Sequence, residues 1–301
     1  MRGKAPAKQE AGKTMSNGGG LHAAVREQRG KAVPDSGEEP YEIDVTTPSV
    51  ARMYDYYLGG KDNYAADREA ARLVLGAAPD VPLAALENRE FLKRAMQYLA
   101  AERGISQFVD IGPGLPTQGN IHQLAHKHDP GAKVAYVDND ASVLVHSRAL
   151  LNGVPGVTLL SGDLREPEAI LEDPGLTAVI DFSRPVALLM TLVLHFVPPD
   201  DDPYGLVATY RDALCPGSFL VLSHVTGDDR EPGMLAGVGA YENASAPLIL
   251  RTRSQVQEFF NGFDLIDPGV VFLSQWRPTG EYHAQGGTRW AYCGVGEKPG
   301  N

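Results

Sequence analysis

The feature that most constrains the fold is an alternation of apolar runs with helical segments, which begins after Gly104. Five apolar runs of strand length follow one another, and a segment with helical character separates each from the next. The runs are QFVDIG, AKVAYVDND, VTLLSGD, PVALLM and SFLVLSHV. Apolar strands that alternate with helices are typical of a parallel sheet covered on both faces. The sequence therefore predicts a doubly wound α/β core over residues 105–301.

Two further strands are predicted at the C-terminal end of this core. VVFLSQW and RWAYCGV have strand character and are joined by a Gly-rich loop, while VQEFF before them predicts a short helix. The expected sheet is thus mostly parallel and seven-stranded.

Two regions of different character precede the core. Residues 1–42 are rich in Gly, Ala, Lys, Glu and Ser and lack apolar periodicity, which predicts a flexible extension. Residues 43–104 predict a helical region, in which Thr47 is the expected N-cap of the first helix and Pro48 its first residue. Further helices are predicted near 65–77 and 84–103.

Charge and hydropathy exclude two classes of partner. The chain of 301 residues has a net charge of −11, although residues 1–33 are basic, so the remainder is strongly acidic. An acidic body repels phosphate backbones, and nucleic acid is not an expected partner. The longest apolar run, Val186–Leu194, is about half of the roughly 20 residues that a spanning helix needs, so no membrane span is predicted.

The cysteines and the N-terminus give further expectations. Cys215 and Cys293 are far apart, without a C-x-x-C motif, so neither a disulfide framework nor a metal site is predicted. The basic start, MRGKAPAKQE, is not followed by an apolar segment. No secretory signal is therefore predicted, and a cytoplasmic location is the expectation.

Glycines and acids stand at the ends of the first three predicted strands, where open parallel sheets bind ligands. The first strand leads into VDIGPGLPTQGN, which contains Asp110, Gly112 and Gly114. The second ends in Asp138, 24 residues after Gly114, and the third is followed by Asp163. Taken singly, these residues are equally consistent with turns and helix caps. Together they predict three carboxylates at the mouths of three consecutive strands.

Such an acidic rim discriminates between adenosine-containing ligands. A dinucleotide would bring its pyrophosphate against Asp110, and Thr117 stands where the dinucleotide fingerprint has a third glycine. A nicotinamide oxidoreductase is therefore disfavoured. S-adenosylmethionine instead presents a sulfonium, an ammonium, a ribose diol and an adenine amino group. We expect Asp138 to bind the diol and Asp163 the adenine amino group, while Asp110 helps to hold the loop and the positive end.

In these motifs the sequence resembles the class I S-adenosylmethionine-dependent methyltransferases. More closely, it resembles an actinobacterial family with the same Rossmann-like fold that was once filed as a domain of unknown function. The blocks that carry the resemblance are PSVARMYDYYLGGKDNY, FVDIGPGLPTQGN, AYVDND, GDLREPEAIL and RPVALLMTLVLHFVPPDDD, within a match from about Pro48 to about Val295. The resemblance implies S-adenosylmethionine as cofactor, with contacts from Asp110, Gly112, Gly114, Asp138, Asn139, Asp163 and Leu164. The chain departs from many such enzymes at Pro116, where a third glycine is usual.

The N-terminal block YDYYLGGKDNYAADRE has two open interpretations. One is a helix end capped at the Gly pair, with half-buried tyrosines. The other is a lid over the cofactor, with Tyr57 facing the sulfonium and Asn63 or Tyr64 bonding the methionine moiety. Arg89, in NREFLKRA, is either the partner of the methionine carboxylate or an exposed helix arginine.

Catalysis of methyl transfer depends mainly on positioning, with a base where the acceptor must lose a proton. The candidate bases are His195, after the fourth strand, and His224, at the end of the fifth, and a structural role is the alternative for each. Residues 227–247 are too long for an ordinary strand–helix connection, so they are expected to help shape an acceptor pocket. The mixed, weakly apolar character of this segment predicts a small-molecule acceptor.

The sequence thus predicts a methyltransferase that uses S-adenosylmethionine and a small acceptor of unknown identity. The alternative is a module that binds S-adenosylmethionine or S-adenosylhomocysteine without turnover. The sequence predicts no oligomeric state.

Overall fold

The computed structural model describes residues 42–116, 119–229, 234–279 and 287–300. Apart from Glu42, the predicted N-terminal extension lies outside these ranges. Within them, no helix combines the length and the apolar character that crossing a membrane requires.

One mixed sheet organises the described chain. Its strands are β1 (Gln107–Ile111), β2 (Lys133–Asp138), β3 (Val157–Ser161), β4 (Ala187–Thr191), β5 (Phe219–Val225), β6 (Asp264–Leu265), β7 (Val271–Phe272) and β8 (Ala291–Glu297). They are ordered β3-β2-β1-β4-β5-β8-β6, and β7 also pairs with β8. The pairings among β1–β5 are parallel, whereas β8 is antiparallel to β5, β6 and β7.

The C-terminal part of the sheet differs from the seven strands predicted. The segment VVFLSQW contributes only β7, because a 3-10 turn begins at Leu273. The additional strand β6 has two residues, too few for any periodicity to show in the sequence. The described sheet therefore has eight strands, and its mostly parallel character is as predicted.

Three helices precede the sheet and six are interspersed with its strands in the described ranges. They are α1 (Val50–Tyr57), α2 (Ala65–Ala77), α3 (Val81–Met96), α4 (Ile121–His126), α5 (Ala141–Leu151), α6 (Pro167–Leu171), α7 (Pro174–Thr177), α8 (Pro203–Ala213) and α9 (Arg253–Glu258). A π-helical turn, Gln97–Glu102, extends α3. Asp140 caps α5, since its carboxylate accepts from the first-turn N–H groups.

The start of α1 is a correction to the prediction. Ser49, rather than Thr47, is its N-cap, and the Ser49 Oγ accepts from the Arg52 N–H at 3.4 Å. Thr47 belongs to a preceding turn, because its N–H donates to the Asp44 carboxylate at 3.2 Å.

Side chains of the central strands alternate between two apolar layers, as a doubly wound fold requires. Val109 and Leu188 face one cluster, which includes residues of α6–α9. Phe108 and Leu189 face the other, which includes residues of α3, α4 and α5. The sheet is therefore buried on both sides, and its open edge for ligands is the carboxyl end of the parallel strands.

The strand order reverses between β1 and β4, and this reversal fixes where a ligand can enter. Strands β2 and β3 lie on one side of β1, and β4 and β5 lie on the other. The connections leave in opposite directions, which opens a crevice at the carboxyl ends. At its base Gly112 has φ +67°, and a Cβ there would lie 2.4 Å from the Val193 Cγ2. Only glycine allows this close approach of the two loops.

A buried ion pair joins α1 to α2. The Arg52 Nε lies 2.8 Å from the Asp67 Oδ2, and the two side chains are 4% and 0% exposed. Asp67 also accepts from the N–H groups of Ser49 and Tyr64, at 2.8 and 2.7 Å. The Arg52 Nη2 donates to the backbone carbonyls of Asp44 and Thr47, at 2.9 and 2.8 Å. Both charges are thus satisfied inside the N-terminal helical region.

We expect Asp67→Ala to lower the free energy of unfolding by about 3–5 kcal/mol, because it leaves a buried guanidinium without its counter-charge. Glu90→Ala is the matched control, since its pair with Lys93 is exposed, and a change of less than about 1 kcal/mol is expected. Urea unfolding followed by circular dichroism measures both. Equally small decreases in the free energy of unfolding of the two variants would contradict a stabilising role of the Arg52–Asp67 pair.

Candidate functional site

A cavity of about 490 Å³ lies at the carboxyl ends of β1–β5. Its lining comes from the loops after these strands, from α1, α2 and α3, from residues 238–250 and from the start of β8. Its volume is within the usual range for small-molecule and cofactor sites. The cavity thus occupies the crevice that the strand order creates.

The cavity brings together most of the residues predicted from the sequence. Those on its lining are Tyr57, Arg89, Gly112, Gly114, Asp138, Asn139, Asp163, Leu164 and His195. Four predicted residues, Asn63, Tyr64, Asp110 and His224, are not on it. The described residues contain no group of His, Cys, Asp or Glu side chains placed to hold a metal ion.

The glycine loop after β1 presents open backbone to the cavity. Gly114 has φ +68°, and a Cβ added there would meet no atom within 4 Å, in contrast to the crowded Gly112. The Gly114 N–H donates to the Asp138 Oδ2 at 3.2 Å, which ties the loop to the end of β2. A ligand can therefore approach the backbone beside Gly114 closely. Thr117 and Gln118, later in the loop, lie outside the described residues.

Asp138 is a largely buried carboxylate on the cavity lining, 8% exposed. Besides Gly114, it accepts from the Asp140 N–H at 2.9 Å. Burial raises the pKa of Asp138 to about 6, although these hydrogen bonds oppose the shift. Most of the Asp138 population is still ionised at neutral pH, so it remains a strong acceptor for hydroxyl donors.

Asp163 is paired with a cation that sequence reasoning did not consider. The Arg165 Nε donates to its Oδ1 at 2.9 Å and the Arg165 Nη2 to its Oδ2 at 2.5 Å. The Asn139 amide adds a bond of 3.2 Å. These contacts, Arg165 above all, lower the pKa of Asp163. Its negative charge is largely balanced, so an adenine amino group would compete with Arg165 for it.

Asp110 does not form the third carboxylate of the cavity rim. It is 5% exposed and faces a separate small cavity beside Arg89. Burial, with a smaller effect from the Asp138 charge, raises the pKa of Asp110 to about 7, while Arg89 opposes the shift. The carboxylate found on the lining instead is Asp140, the α5 cap, which also accepts from the Ser49 Oγ.

The motif GGKDN forms a turn around a buried carboxylate. Asp55 is 3% exposed and accepts from the Asn63 Nδ2 at 2.8 Å and from the Asp62 N–H at 3.0 Å. Gly60 is required because a Cβ there would lie 1.9 Å from the Asp55 Oδ1. The structure thus uses Asn63 inside the N-terminal region, away from the cavity. Tyr64 is also off the lining, with the Arg52 guanidinium 5.2 Å from the centroid of its ring.

The N-terminal block has three predicted cofactor contacts, Tyr57, Asn63 and Tyr64. Of these three, the structure places Tyr57 on the cavity lining. Its hydroxyl lies 3.1 Å from that of Tyr241, in the 3-10 segment Met234–Asn243. A second link joins the same two regions, since the Ser245 N–H donates to the Pro48 carbonyl at 2.8 Å. Two separate parts of the chain therefore close the cavity together.

The two histidines differ in their freedom to contact a ligand. In His224 the Nδ1 bonds the Val225 carbonyl at 2.7 Å and the Nε2 accepts from the Arg251 Nη1 at 2.8 Å. Burial lowers the pKa of His224 to about 3. His195 lines the cavity, and its buried Nδ1 has no hydrogen-bond partner in the described part of the chain. Burial, then His224 and Arg251, hold the pKa of His195 well below its ordinary value.

Sequence reasoning missed Arg251, which fixes the turn that carries His195. Arg251 is 4% exposed and donates to the Leu194 carbonyl at 3.0 Å and to the Val197 carbonyl at 2.9 Å. No local signal identifies it, because its partners precede it by 54 and 57 residues.

A second missed element is the polar chain that ends at Leu192. Leu192 lines the cavity with φ +51°, a conformation that is strained for a residue with a side chain. Its N–H donates to the Ser223 Oγ at 3.0 Å, and that hydroxyl donates to the Asn88 Oδ1 at 2.7 Å. Asn88 thereby links α3 to the ends of β4 and β5.

The buried Asp110 should make stability depend on pH. In the unfolded chain it ionises near 3.8, but in the folded chain near 7. The stability that the protonated carboxyl contributes is therefore complete below about pH 4 and lost as the pH rises through 7. Between pH 5 and pH 8, the free energy of unfolding of Asp110→Asn should rise by about 2 kcal/mol relative to that of the parent protein. Urea unfolding of both proteins at pH 5 and pH 8 tests this prediction. The same difference in stability between variant and parent at the two pH values would contradict it.

Known proteins similar to this chain are related to methyl transfer. The sequence model of a family described as S-adenosyl methyltransferase matches residues 36–299. A DUF574 family protein from Streptomyces avermitilis is 37% identical, with a TM-score of 0.82 over 86% of this chain and 100% of its own. A candidate methyltransferase from Thermobifida fusca is 38% identical, with a TM-score of 0.81 over 90% and 100%. No curated protein matches the chain significantly.

Proposed function

Because the chain belongs to the S-adenosyl methyltransferase family, we propose that its cavity binds S-adenosylmethionine beside a small-molecule methyl acceptor. The family and the similar structures make it an S-adenosylmethionine-dependent methyltransferase. The observation that carries the placement of the cofactor is the open backbone at Gly114 next to Asp138, at the point where the strand order reverses.

The residues at this point fit the chemistry of the cofactor. The space beside Gly114 admits a ligand that a side chain would displace. Asp138 supplies carboxylate oxygens for the ribose diol, with a charge-assisted hydrogen bond. Arg89 lines the same cavity from α3 and is the candidate partner for the methionine carboxylate. Asn139, Asp163 and Leu164 follow on the adjacent strand ends, where the adenine would lie.

When bound, S-adenosylmethionine would supply a methyl group on a cationic sulfur: the lone pair of the acceptor would form the new bond, the carbon–sulfur pair would stay on sulfur, and the proton of a hydroxyl or amine acceptor would pass to solvent. The departing thioether is neutral and needs no acid from the chain. The protein's contribution is then to align the two reactants and to exclude water. We assign the exclusion of water to α1–α3 and to residues 238–250, which act as a lid joined at Tyr57 and Tyr241.

His195 is the candidate catalytic residue, and His224 supports it. The depressed pKa of His195 keeps its imidazole neutral at physiological pH, so it can accept a hydrogen bond from a hydroxyl or amine acceptor. The same low pKa makes it a weak base, which leaves alignment as its main contribution. The ring of His224 packs edge-on against His195 with centroids 5.6 Å apart, and Arg251 holds both elements in place.

Incubation with methyl-labelled S-adenosylmethionine and the small-molecule fraction of a cell extract tests turnover. An enzyme transfers label to a product and forms S-adenosylhomocysteine in equal amount. A module that only binds the cofactor would leave the label on S-adenosylmethionine, and this result would refute the proposed catalysis.

We expect Asp138→Ala to weaken the binding of S-adenosylhomocysteine by about 1–3 kcal/mol, or roughly 5- to 150-fold, because a charge-assisted hydrogen bond is lost. Isothermal titration calorimetry measures the change. Asp200→Ala is the matched control, because Asp200 is exposed and off the cavity lining. The affinity of this variant for S-adenosylhomocysteine should equal that of the parent protein. If both variants bind like the parent protein, Asp138 does not hold the ribose.

A further inference from the structure

The charged and the uncharged lining residues of the cavity are segregated, and we infer that the methyl acceptor is a neutral aromatic molecule held at the uncharged end. This inference rests on the proposed function, since it assigns the charged end to the cofactor. It concerns the described lining residues and the class of molecule that they can accommodate.

The ionic side chains gather at one end. The charged residues on the described lining are Arg89, Asp138, Asp140, Asp163 and Arg165. Asp138 ends β2, while Asp140, Asp163 and Arg165 follow β2 or β3, and both strands lie on the same side of β1 in the sheet. Arg89 reaches from α3 to the loop after β1, where its Nη2 donates to the Gly119 carbonyl at 3.3 Å, and its charge also acts on the Tyr54 hydroxyl. This end matches a donor that carries a sulfonium, an ammonium and a carboxylate.

The other end is apolar and rich in aromatic rings. Its lining comes from α1 to α3, from the turn after β4, from residues 238–250 and from the start of β8. Representative residues are Tyr54, Ala85, Phe196, Leu248 and Trp290. Aromatic faces at this density favour a flat, apolar ligand, because rings pack on one another in offset or edge-to-face geometry.

The polar groups that the described lining presents at this end are all neutral. The hydroxyls of Tyr57 and Tyr241 bond each other, and burial raises the pKa of Tyr241 to about 12. The Asn88 amide is occupied, donating to the Tyr54 hydroxyl at 3.2 Å and accepting from Ser223. His195 is also at this end. Its buried Nδ1 has no hydrogen-bond partner among the described residues.

An ionised acceptor would therefore lose its hydration at this end without gaining a counter-charge from the described lining residues. That loss costs several kcal/mol for a carboxylate or an ammonium, whereas a neutral ring gains by burial. His195 lies on the same lining, and its imidazole adds no charge there because burial holds its pKa well below the ordinary value. The acceptor class that fits is thus a neutral aromatic.

Three probes of similar size test this inference at pH 7, namely 2-naphthol, 2-naphthoate and (2-naphthylmethyl)ammonium. Each is titrated calorimetrically into the full-length protein saturated with S-adenosylhomocysteine. We expect 2-naphthol to bind at least 10-fold more tightly than either ionic probe. Equal or tighter binding of an ionic probe, or no binding of 2-naphthol, would overturn the inference. Saturation with S-adenosylhomocysteine is measured first, so a failure of the proposed cofactor site shows separately.

Leu248 allows a charge-swap test, because it is on the lining and only half-buried. Leu248→Lys should shift the ratio of 2-naphthoate to 2-naphthol affinity by at least 10-fold towards the anion. Leu248→Glu should shift the ratio of (2-naphthylmethyl)ammonium to 2-naphthol affinity by at least 10-fold towards the cation. Each variant is first saturated with S-adenosylhomocysteine. Leu73→Lys and Leu73→Glu, at a leucine of α2 that is 64% exposed and off the lining, are the matched controls. If the probe affinity ratios of the two Leu248 variants equal those of the parent protein, the uncharged end does not hold the acceptor.

Discussion

The close approach of the loops after β1 and β4 is the constraint on which the site depends. Gly112 lies so near Val193 that any Cβ would separate the two loops. Their contact sets the floor of the crevice at the reversal of strand order, and it leaves Gly114, two residues later, with open space beside it. The two glycines of this motif thus have different physical reasons: Gly112 is required by packing, and Gly114 leaves room for a ligand.

The N-terminal helices are tied to the same strand ends that line the cavity. Ser49, the N-cap of α1, donates to Asp140, the N-cap of α5, two residues after Asp138. From the opposite side, the Val50 N–H donates to the Ser245 Oγ at 3.2 Å. The start of α1 is therefore a junction between the end of β2 and the segment that follows β5. Under the proposed function, a cofactor that orders the β2 end also favours the closed arrangement of the lid, because the two share these hydrogen bonds.

Local patterns of the sequence predict the strands and the helix cap, whereas the sequence does not predict which partner a polar side chain takes in the fold. Strands β1–β5 and the Asp140 cap follow from apolar runs and cap chemistry, both of which act within a few residues. The orientation of Asp110 was missed, although strand alternation places it on the face of Phe108, opposite Val109. In one of the two interpretations of the N-terminal block, Asn63 or Tyr64 bonds the methionine moiety, whereas in the structure the Asn63 amide donates to the buried Asp55 carboxylate. The role of Arg251 depends on partners more than 50 residues away, for which a single sequence carries no signal.

The buried guanidinium of Arg251 links the fold to the chemistry proposed for the site. It contacts two backbone carbonyls and the Nε2 of His224, and no carboxylate among the described residues pairs with it. Its positive charge adds to burial in lowering the pKa of both His195 and His224, so neither imidazole is protonated at neutral pH. A neutral imidazole of low basicity orients an acceptor but draws a proton from it only weakly. Under the proposed function, methyl transfer at this site depends on alignment, and an aromatic wall without charge among its described residues is suited to align a neutral ring.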